Sequence, residues 1–303
     1  MSGTLVLVEP DDELSLQAVA LARGLGTPVH ALSIAGPADV AVDVLHVADV
    51  PGPHAPGAWA AALCQLAGVL EPDAVVAAGS DRGNEVLAHV GARLDLPVAT
   101  NVTEIHGDVV TRVRWGGSLL EEARLLGSPK LITVAPYAVA SEAAGQPAST
   151  KPFSPVVAAA DLSVRVTGRV EEPSDGVSLR RAKVVVGGGR GVGSAEGFVT
   201  LDELAGLLGG AVGTTRAVTS AGWRPHTDQI GQTGTKIGPD LYIACGISGA
   251  TQHIAGCRGA KKILAINSDP EAPIVARADY AVIGDLHEVV PAITAELKRV
   301  LEP

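Results

Sequence analysis

Short apolar runs alternate with longer segments of helical periodicity over the first half of the chain. Apolar runs rich in Val, Leu and Ala predict strands, and apolar residues spaced three and four positions apart predict helices. The predicted strands are residues 4–8, 29–34, 42–47, 74–78, 96–99, 109–115 and 131–135, and the predicted helices are residues 13–25, 58–69 and 84–94. Such alternation is typical of β-α-β units on a mainly parallel sheet, so this half is predicted to be an α/β domain.

A second α/β domain is predicted after a linker. Residues 141–155 are rich in Ala, Gly, Ser and Pro, and the polar segment 169–181 follows a lone predicted strand at residues 162–166. These are loop compositions, so the boundary is placed near residue 180, which gives domains 1–180 and 181–303. The elements predicted beyond it are strands at residues 183–186, 241–244, 263–266 and 281–283 and a helix at residues 200–208, opened by the capping-box pair Thr200 and Glu203. The predicted fold class is therefore α/β with two mainly parallel sheets.

Composition agrees with two folded domains and disfavours several other classes. The chain has 303 residues, of which 47% are apolar and 18% charged, which is too apolar for a disordered chain. No run approaches the roughly 20 apolar residues of a membrane-spanning helix. Aromatic residues make up only 3% of the chain, which indicates a core of small branched side chains. The net charge of −10 disfavours nucleic acid as a partner, because phosphate contacts need clustered Lys and Arg.

Cysteine usage and the N-terminal segment both favour a cytoplasmic location. Cys64, Cys245 and Cys257 are an odd number, widely spaced, and include no C-x-x-C pair. Reduced structural thiols are therefore expected rather than a disulfide framework or a zinc site. The predicted strand at residues 4–8 begins too close to the terminus to follow a signal peptide.

Candidate chemistry is concentrated at the ends of the strands predicted in the second domain, where open parallel sheets bind ligands. The first strand runs into glycines around Arg190 without fulfilling G-x-G-x-x-G, and a second segment places Arg216 beside Thr215. A third segment, residues 229–236, interleaves glycines with amide and hydroxyl side chains. The functional interpretation is contact with a phosphate and a planar heterocycle. The alternatives are an ordinary glycine-rich turn, an ion-paired structural arginine and a surface turn.

The most informative segment is residues 241–256, where a buried strand passes through a Gly-x-Ser-Gly turn into a short predicted helix. Ser248 is predicted to cap this helix, whose first amides then form a positive site for an anion. His253 lies about one turn inside the helix and either faces the same ligand or is structural. A hydrolase nucleophile elbow is disfavoured, because Ala250 replaces the last glycine of G-x-S-x-G.

Polar side chains also follow the last two predicted strands. Asn267 comes after the strand at residues 263–266, and Asp285 comes after the strand at residues 281–283. A carboxamide or carboxylate at such a position can bond ribose hydroxyls or an adenine edge. With no metal triad and no paired histidines in these segments, the constellation indicates a protein that binds a large dinucleotide.

Taken together and in order, the segments of the second domain resemble one known family. They are Gly189-Arg190-Gly191, Thr215-Arg216-Ala217, residues 229–234, residues 242–253, residues 265–274 and Ala278-Asp279-Tyr280. They resemble the alpha subunit of electron transfer flavoprotein, also called the FixB family, collinearly through about 120 residues. The first domain is similar more loosely, through residues 72–74 with 79–83 and through Gly116-Gly117.

The resemblance implies a heterodimer with a beta subunit, one FAD held mainly by the second domain, and AMP buried in the beta subunit. It also implies a nucleotide-hydrolase-like sheet in the first domain and a Rossmann-like FAD-binding sheet in the second. The FAD-contacting positions that it implies are Arg190, Thr215, Arg216, Ile230, Gly231, Gln232, Thr233, Ser248, Gly249, Ala250, Thr251, Gln252, His253, Asn267, Asp285 and Leu286.

Three of these positions carry specific roles in the family. The resemblance implies that Arg216 lies over the isoalloxazine ring, that Thr233 bonds near its N5/C4 carbonyl edge, and that His253 lies near its C2 carbonyl. The turn at Ser248 and the helix after it are implied to receive pyrophosphate or ring carbonyl oxygens. An arginine and a helix N-terminus near a flavin stabilise the negative charge that arrives with one electron, which raises the flavin potential.

The chain departs from the family at a few positions. Thr215 replaces a serine and keeps a hydroxyl, and Ser220 stands where an aspartate is usual in the family, so this chain has no carboxylate at that position. Lys236 is displaced by one residue because Thr235 intervenes, so it is left out of the site.

The function implied is electron transfer from flavin dehydrogenases, such as the acyl-CoA dehydrogenases of fatty acid β-oxidation, to a membrane quinone oxidoreductase. Such a chain is an electron carrier rather than an enzyme with its own substrate. The alternatives are an NAD-dependent enzyme on a similar parallel sheet and a nucleotide-sensing module.

Overall fold

The structure is a computed structural model that describes residues 3–9, 13–26, 28–34, 36–141, 143–168 and 177–301. It divides the chain into two units, Met1–Glu171 and Glu172–Pro303, and each unit is described by itself. The boundary predicted near residue 180 stays a prediction, because residues 169–176 next to it lie outside the described residues. Most of the predicted polar segment 169–181 lies there as well.

The first unit is built from nine strands and three α-helices within the described residues. Its strands are β1 (Thr4–Val8), β2 (Val29–Ser33), β3 (Val44–Ala48), β4 (Ala74–Ala78), β5 (Val98–His106), β6 (Val109–Arg114), β7 (Leu119–Arg124), β8 (Lys130–Val134) and β9 (Ser149–Phe153), and its helices are α1 (Glu13–Leu25), α2 (Pro56–Leu70) and α3 (Asp81–Leu94). The strands form one sheet in the order β7-β6-β5-β8-β4-β1-β2-β3-β9. Pairing is parallel except where β6 meets β5 and β7, which confirms a mainly parallel sheet.

The core of this unit lies on both faces of the sheet. Along β1, Leu5 and Leu7 pack toward α2 and α3, whereas Val6 and Val8 pack toward α1. Both sets are fully buried, which explains why the strand reads as an uninterrupted apolar run. Val6 lies opposite Ala31 of β2 and Val76 of β4 in the sheet.

Two expectations for this unit were wrong, and one strand was not expected. The predicted linker at residues 141–155 contains β9, which extends the sheet beside β3. A strand at residues 162–166 is absent, and a 3-10 helix at Ala159–Leu162 ends there instead. The strand β7 was not predicted at all. Both β7 and β9 are edge strands whose side chains are mostly exposed. They therefore lack the apolar pattern that marks inner strands.

The second unit contains five parallel strands in the order β11-β10-β12-β13-β14. Its strands are β10 (Val184–Gly188), β11 (Ala211–Thr214), β12 (Leu241–Cys245), β13 (Ile263–Asn267) and β14 (Tyr280–Ile283), and its helices are α4 (Phe198–Leu207), α5 (Arg216–Ser220), α6 (Thr251–Cys257) and α7 (Leu286–Leu301). From β10 the chain goes to β11 on one side and then crosses to β12 on the other. The strand order therefore reverses at β10 and β12, which creates a crevice outside their carboxyl ends.

Alternate residues of β12 face different cores. Tyr242 and Ala244 pack with Ile254 and Cys257 of α6, whereas Ile243 and Cys245 pack against α4 and α7. All five strands are parallel, as the predicted Rossmann-like architecture requires. Within residues 3–301 as described, no helix combines the length and the apolar character that crossing a bilayer requires.

The structure also corrects details of this unit. Helix α4 begins at Phe198, two residues before Thr200, whose hydroxyl donates to the carbonyl of Gly197 rather than capping the helix. The last strand, β14, was expected to be buried, but it is an exposed edge strand. Helix α7 was not predicted, although its buried Val290 belongs to the core beneath the sheet.

Candidate functional site

A cavity of about 730 Å³ lies at the carboxyl ends of β10 and β12, where the strand order reverses. Its size falls within the range of roughly 300–1,000 Å³ that is usual for ligand and cofactor sites. We call it the switch-point cavity. It is lined by Gly189, Arg190, Gly191, Thr215, Arg216, Ala217, Gln229, Ile230, Gly231, Gln232, Thr233, Gly246, Ile247, Ser248, Gly249, Ala250, Gln252, His253, Asn267, Asp269, Ala272 and Pro273.

Close backbone approach brings the first wall of this cavity together. The amide of Gly189 donates to the carbonyl of Cys245 at 2.9 Å, and the amide of Gly191 donates to the carbonyl of Gly246 at 3.1 Å. A Cβ on Gly189 would lie 2.2 Å from the carbonyl oxygen of Gly246. Glycine at 189 is therefore required for the two strand ends to meet. Arg190, the next residue, is exposed and lines the cavity.

The second wall is the turn at residues 246–250, which leads from β12 into α6. Ser248 was expected to cap the helix, but α6 begins at Thr251 and its N-cap is Ala250. Gly249 causes the difference, because its left-handed φ of +84° adds a turn between Ser248 and the helix. In the part of the chain that the structure describes, the backbone N–H groups of Ser248, Gly249 and Ala250 have no protein acceptor. They leave the cavity wall with free hydrogen-bond donors.

The third wall is the loop at residues 229–233, which Gln229 organises from its buried position. The side-chain oxygen of Gln229 accepts from the hydroxyl of Thr219 at 2.9 Å, and its amide nitrogen donates to the hydroxyl of Thr233 at 3.0 Å. Because Thr233 accepts that bond, its own hydroxyl hydrogen stays available. The amide of Gln232 donates to the carbonyl of Gln252 in α6 at 2.8 Å, which ties the loop to the helix.

His253 lies in the cavity lining but is almost completely buried. Burial lowers the pKa of His253 to about 4, and the bond to the Ile230 carbonyl opposes this only in part. The ring Nδ1 lies 3.1 Å from the carbonyl oxygen of Ile230, and Nε2 lies 2.8 Å from the hydroxyl of Tyr242. His253 is therefore neutral at physiological pH, and protein groups engage both of its ring nitrogens.

Asn267 closes the side of the cavity next to β13. Its side-chain amide nitrogen donates to the carbonyl of Ile247 at 2.8 Å, and its side-chain oxygen accepts from the amide of Asp269 at 3.0 Å. Asn267 therefore fixes the start of the 246–250 turn relative to the loop after β13. Asp269 in turn accepts from the amide of Glu271 at 2.9 Å.

Two cations line the switch-point cavity. Arg190 follows β10, and Arg216 is the first residue of α5 after β11. Within residues 177–301, neither guanidinium has a carboxylate partner, whereas Arg224 outside the cavity pairs with Asp202 and Asp228. The cavity therefore combines unpaired positive charge with free backbone donors, an environment suited to an anionic ligand.

The structure brings most of the predicted site residues together. Those that line the cavity are Arg190, Thr215, Arg216, Ile230, Gly231, Gln232, Thr233, Ser248, Gly249, Ala250, Gln252, His253 and Asn267. Three predicted residues lie outside the lining. Thr251 is exposed at the start of α6, the Asp285 carboxylate accepts from the amide of His287 at 2.9 Å, and Leu286 is buried in the core beneath the sheet. Their contact with a cofactor stays a prediction.

Some lining residues were absent from the predicted set. They are Gly189, Gly191, Ala217, Gln229, Gly246, Ile247, Asp269, Ala272 and Pro273. All of them lie inside or next to the segments that the sequence singled out. Their position in the sequence, inside or beside those segments, is the signal that could have identified them. The role of Gln229 as a buried link between Thr219 and Thr233 depends on side-chain contacts, which no local pattern indicates.

Fold and site together define an α/β protein of the doubly wound class, with a cavity lined by two arginines and free backbone amides at its switch point. Residues 4–161 match the family model described as electron transfer flavoprotein domain, and residues 178–258 match the electron transfer flavoprotein FAD-binding domain. The chain therefore belongs to the family of electron transfer flavoprotein alpha subunits, which includes FixB.

Curated relatives agree with this placement. The chain is 41% identical to the electron transfer flavoprotein subunit alpha of Bacillus subtilis over 77% of this chain and 74% of that protein. It is 37% identical to the subunit of the same name from Mycobacterium leprae over 98% and 99% of the two chains. It is also 36% identical to protein FixB of Clostridium saccharobutylicum over 80% and 75%.

Proposed function

We propose that the switch-point cavity holds one FAD and that the chain is the alpha subunit of a heterodimeric electron carrier. The main support is the lining of a single cavity at the strand reversal. Arg190 and Arg216, which have no carboxylate partner within residues 177–301, line it together with the free amides of the 246–250 turn. This donor set fits a ligand with a pyrophosphate and a ring system that gains negative charge on reduction.

Each wall of the cavity contributes a different interaction. The close approach at Gly189 and the free amides of Ser248 and Gly249 suit phosphate oxygens, which accept backbone hydrogen bonds. Arg216 supplies positive charge that stabilises an electron-rich ring, and the available hydroxyl hydrogen of Thr233 suits a ring acceptor. FAD supplies the redox chemistry, because a flavin accepts and releases electrons singly or in pairs.

The proposed path runs from flavin dehydrogenases, such as the acyl-CoA dehydrogenases of fatty acid β-oxidation, through this chain to a membrane quinone oxidoreductase. The proposed partner is an electron transfer flavoprotein beta subunit that holds AMP, and the proposed location is the cytoplasm. Membership in the alpha-subunit family supports this assembly.

The test is purification of the chain together with its beta subunit. We expect a yellow heterodimer with flavin absorbance at about 450 nm and with one FAD and one AMP per heterodimer. A colourless heterodimer that gains no such absorbance when FAD is added contradicts the proposal. A heterodimer that contains two FAD, instead of one FAD and one AMP, contradicts the single-flavin assignment but agrees with flavin binding by this chain.

A further inference from the structure

Gln229 is the middle member of a side-chain hydrogen-bond relay that ends at the switch-point cavity. Its side-chain oxygen lies 2.9 Å from the hydroxyl of Thr219, and its side-chain nitrogen lies 3.0 Å from the hydroxyl of Thr233. Gln229 is buried, whereas Thr233 is exposed and lines the cavity. The relay therefore connects the interior to a hydroxyl that a bound ligand can reach.

Both ends of the Gln229 amide meet hydroxyl groups, and a hydroxyl can either donate or accept a hydrogen bond. Thr219 has one hydroxyl hydrogen but two acceptors within reach, because its oxygen also lies 3.1 Å from the carbonyl oxygen of Arg216. When Thr219 donates to Arg216, its lone pairs are free to accept from the side-chain nitrogen of a turned Gln229. The partners of Gln229 therefore permit two orientations of its amide.

Gln65 of α2 shows the contrasting case. Its side-chain nitrogen donates to the carbonyl of Val156 at 2.7 Å, and its side-chain oxygen accepts from the amide of Val156 at 2.9 Å. A carbonyl only accepts and a backbone amide only donates, so a turned Gln65 would place oxygen against oxygen and N–H against N–H. The partners of Gln65 restrict it to one orientation, and those of Gln229 do not.

The backbone of Gln229 is held independently of its side chain. Its amide donates to the carbonyl of His226 at 3.0 Å, and its carbonyl accepts from the amide of Thr235 at 2.7 Å. The side-chain amide can therefore turn without moving the loop. In the first orientation Thr233 accepts from Gln229 and can donate its hydrogen to a ligand, whereas in the second Thr233 donates to Gln229 and offers the ligand a lone pair.

A flavin presents different hydrogen-bonding groups when it is oxidised and when it is fully reduced. Uptake of two electrons and one proton turns a ring nitrogen from an acceptor into an N–H donor. We propose that Gln229 is a positioning residue with two orientations: it directs the Thr233 hydrogen to the oxidised ring and the Thr233 lone pair to the reduced ring. Thr219 permits the exchange by changing its acceptor between Gln229 and Arg216. The inference rests on the proposed function, which supplies the flavin.

NMR of the FAD-loaded heterodimer, isotopically labelled in its glutamine side chains, tests the orientation without any substitution. We expect the Nε2 hydrogens of Gln229 to lie next to the Thr233 hydroxyl in the oxidised protein and next to the Thr219 hydroxyl after reduction with dithionite. Gln65 is the internal control, and its contacts with Val156 are expected to be the same in both states. A Gln229 amide that keeps the same partner in both states overturns the proposal.

Gln229→Met keeps the length of the side chain but removes both of its hydrogen bonds. We expect it to bind oxidised and reduced FAD on the order of tenfold more weakly, since each state loses one positioned hydrogen bond. The potential of the bound flavin depends on the ratio of the two affinities, so it is expected to stay unchanged. Gln65→Met is the matched control, with both affinities unchanged.

Two results with Gln229→Met would overturn the proposal. One is a potential that rises by about 30 mV, which corresponds to a tenfold loss of affinity in the oxidised state alone. That result would mean that Gln229 only ever donates to Thr233. The other is an affinity equal to that of Gln65→Met in both states, which would mean that the relay does not position the ligand.

A double-mutant cycle shows whether Gln229 acts through Thr233. In Thr233→Val the hydroxyl is absent, so adding Gln229→Met is expected to weaken FAD binding no further. Additive losses overturn the relay, because Gln229 would then act by another route. A heterodimer that binds no flavin contradicts the proposed function and this inference together, whereas one that binds flavin while Gln229 keeps one orientation overturns the inference alone.

Discussion

Arg216 is the residue whose charge matters most for the proposed redox site. It lines the switch-point cavity and has no carboxylate partner within residues 177–301. We expect Arg216→Ala to lower the potential of the bound flavin by on the order of 60 mV, the shift that corresponds to a tenfold change in a one-electron equilibrium. The physical reason is the loss of a positive charge beside a ring that becomes more negative on reduction.

A redox titration of the heterodimer measures this effect. Arg277→Ala is the matched control, because Arg277 is exposed in the 3-10 helix Val275–Arg277 and lies outside the cavity lining. It removes the same charge from the same unit. Equal potentials in the two variants would show that net charge, rather than the position of Arg216, sets the flavin potential.

Gly249 illustrates how a single backbone conformation shapes the site. Its φ is +84°, and a Cβ there would lie 2.4 Å from the nitrogen of Ile274. We expect Gly249→Ala to distort the 246–250 turn at a cost of about 1–3 kcal/mol and to weaken FAD binding at least tenfold. Fluorescence titration of the apoprotein with FAD measures the affinity.

Gly206→Ala is the corresponding control within the same unit. Gly206 is exposed in α4, and a Cβ there meets no heavy atom within 4 Å among the described residues. That substitution is expected to leave FAD affinity unchanged and to stabilise the protein by up to about 1 kcal/mol, because alanine loses less backbone entropy in a helix. Loss of affinity in both variants would indicate a general sensitivity to substitution rather than a turn at Gly249 that needs glycine.

At the scale of elements, β2 and β3 of the first unit carry a histidine pair. His30 Nδ1 and His46 Nε2 lie 3.1 Å apart, and His46 is buried. Burial, followed by the charges of His30 and Lys151, lowers the pKa of His46 to about 4. The unfolded chain therefore binds a proton at His46 between about pH 6.5 and 4 that the folded protein does not bind.

This linkage predicts that stability decreases as the pH falls from 6.5 toward 4. For one proton the slope is at most about 1.4 kcal/mol per pH unit. We expect His46→Gln to lose less stability than the unsubstituted protein between pH 7 and pH 5, measured by urea unfolding at each pH. His106→Gln is the control, since its side chain is 82% exposed. An identical pH dependence in His46→Gln and His106→Gln would contradict the linkage.

At the scale of the whole molecule, cofactor binding is expected to be linked to folding. A ligand that binds only the folded state stabilises it by about 2.7 kcal/mol at a concentration one hundred times its dissociation constant. We expect FAD to raise the thermal unfolding temperature of the protein and NAD to leave it unchanged at the same concentration. Scanning calorimetry with each dinucleotide measures both, and stabilisation by NAD alone would favour the alternative of an NAD-dependent enzyme.

Prediction from sequence was most accurate where burial gave a clear periodicity. The strands β1 and β4 and the helix α1 have the bounds that their apolar patterns predicted. Both strands are buried on their two faces and α1 is buried along one face, so burial gives each element a clear apolar pattern. The edge strand β9 was missed, since polar residues and Pro152 are tolerated where only one side of a strand is paired.

The sequence by itself determined that the chain has two mainly parallel α/β sheets, and it singled out Arg190, Arg216 and the Ser248 turn, which line one cavity in the structure. Local glycine patterns specify backbone turns, and such turns are readable from residues next to each other. Only the tertiary structure decided that Gln229 links Thr219 to Thr233 and that the Tyr242 hydroxyl lies within hydrogen-bond distance of the ring of His253. These contacts depend on strand order and register, which bring together side chains that local sequence patterns treat independently.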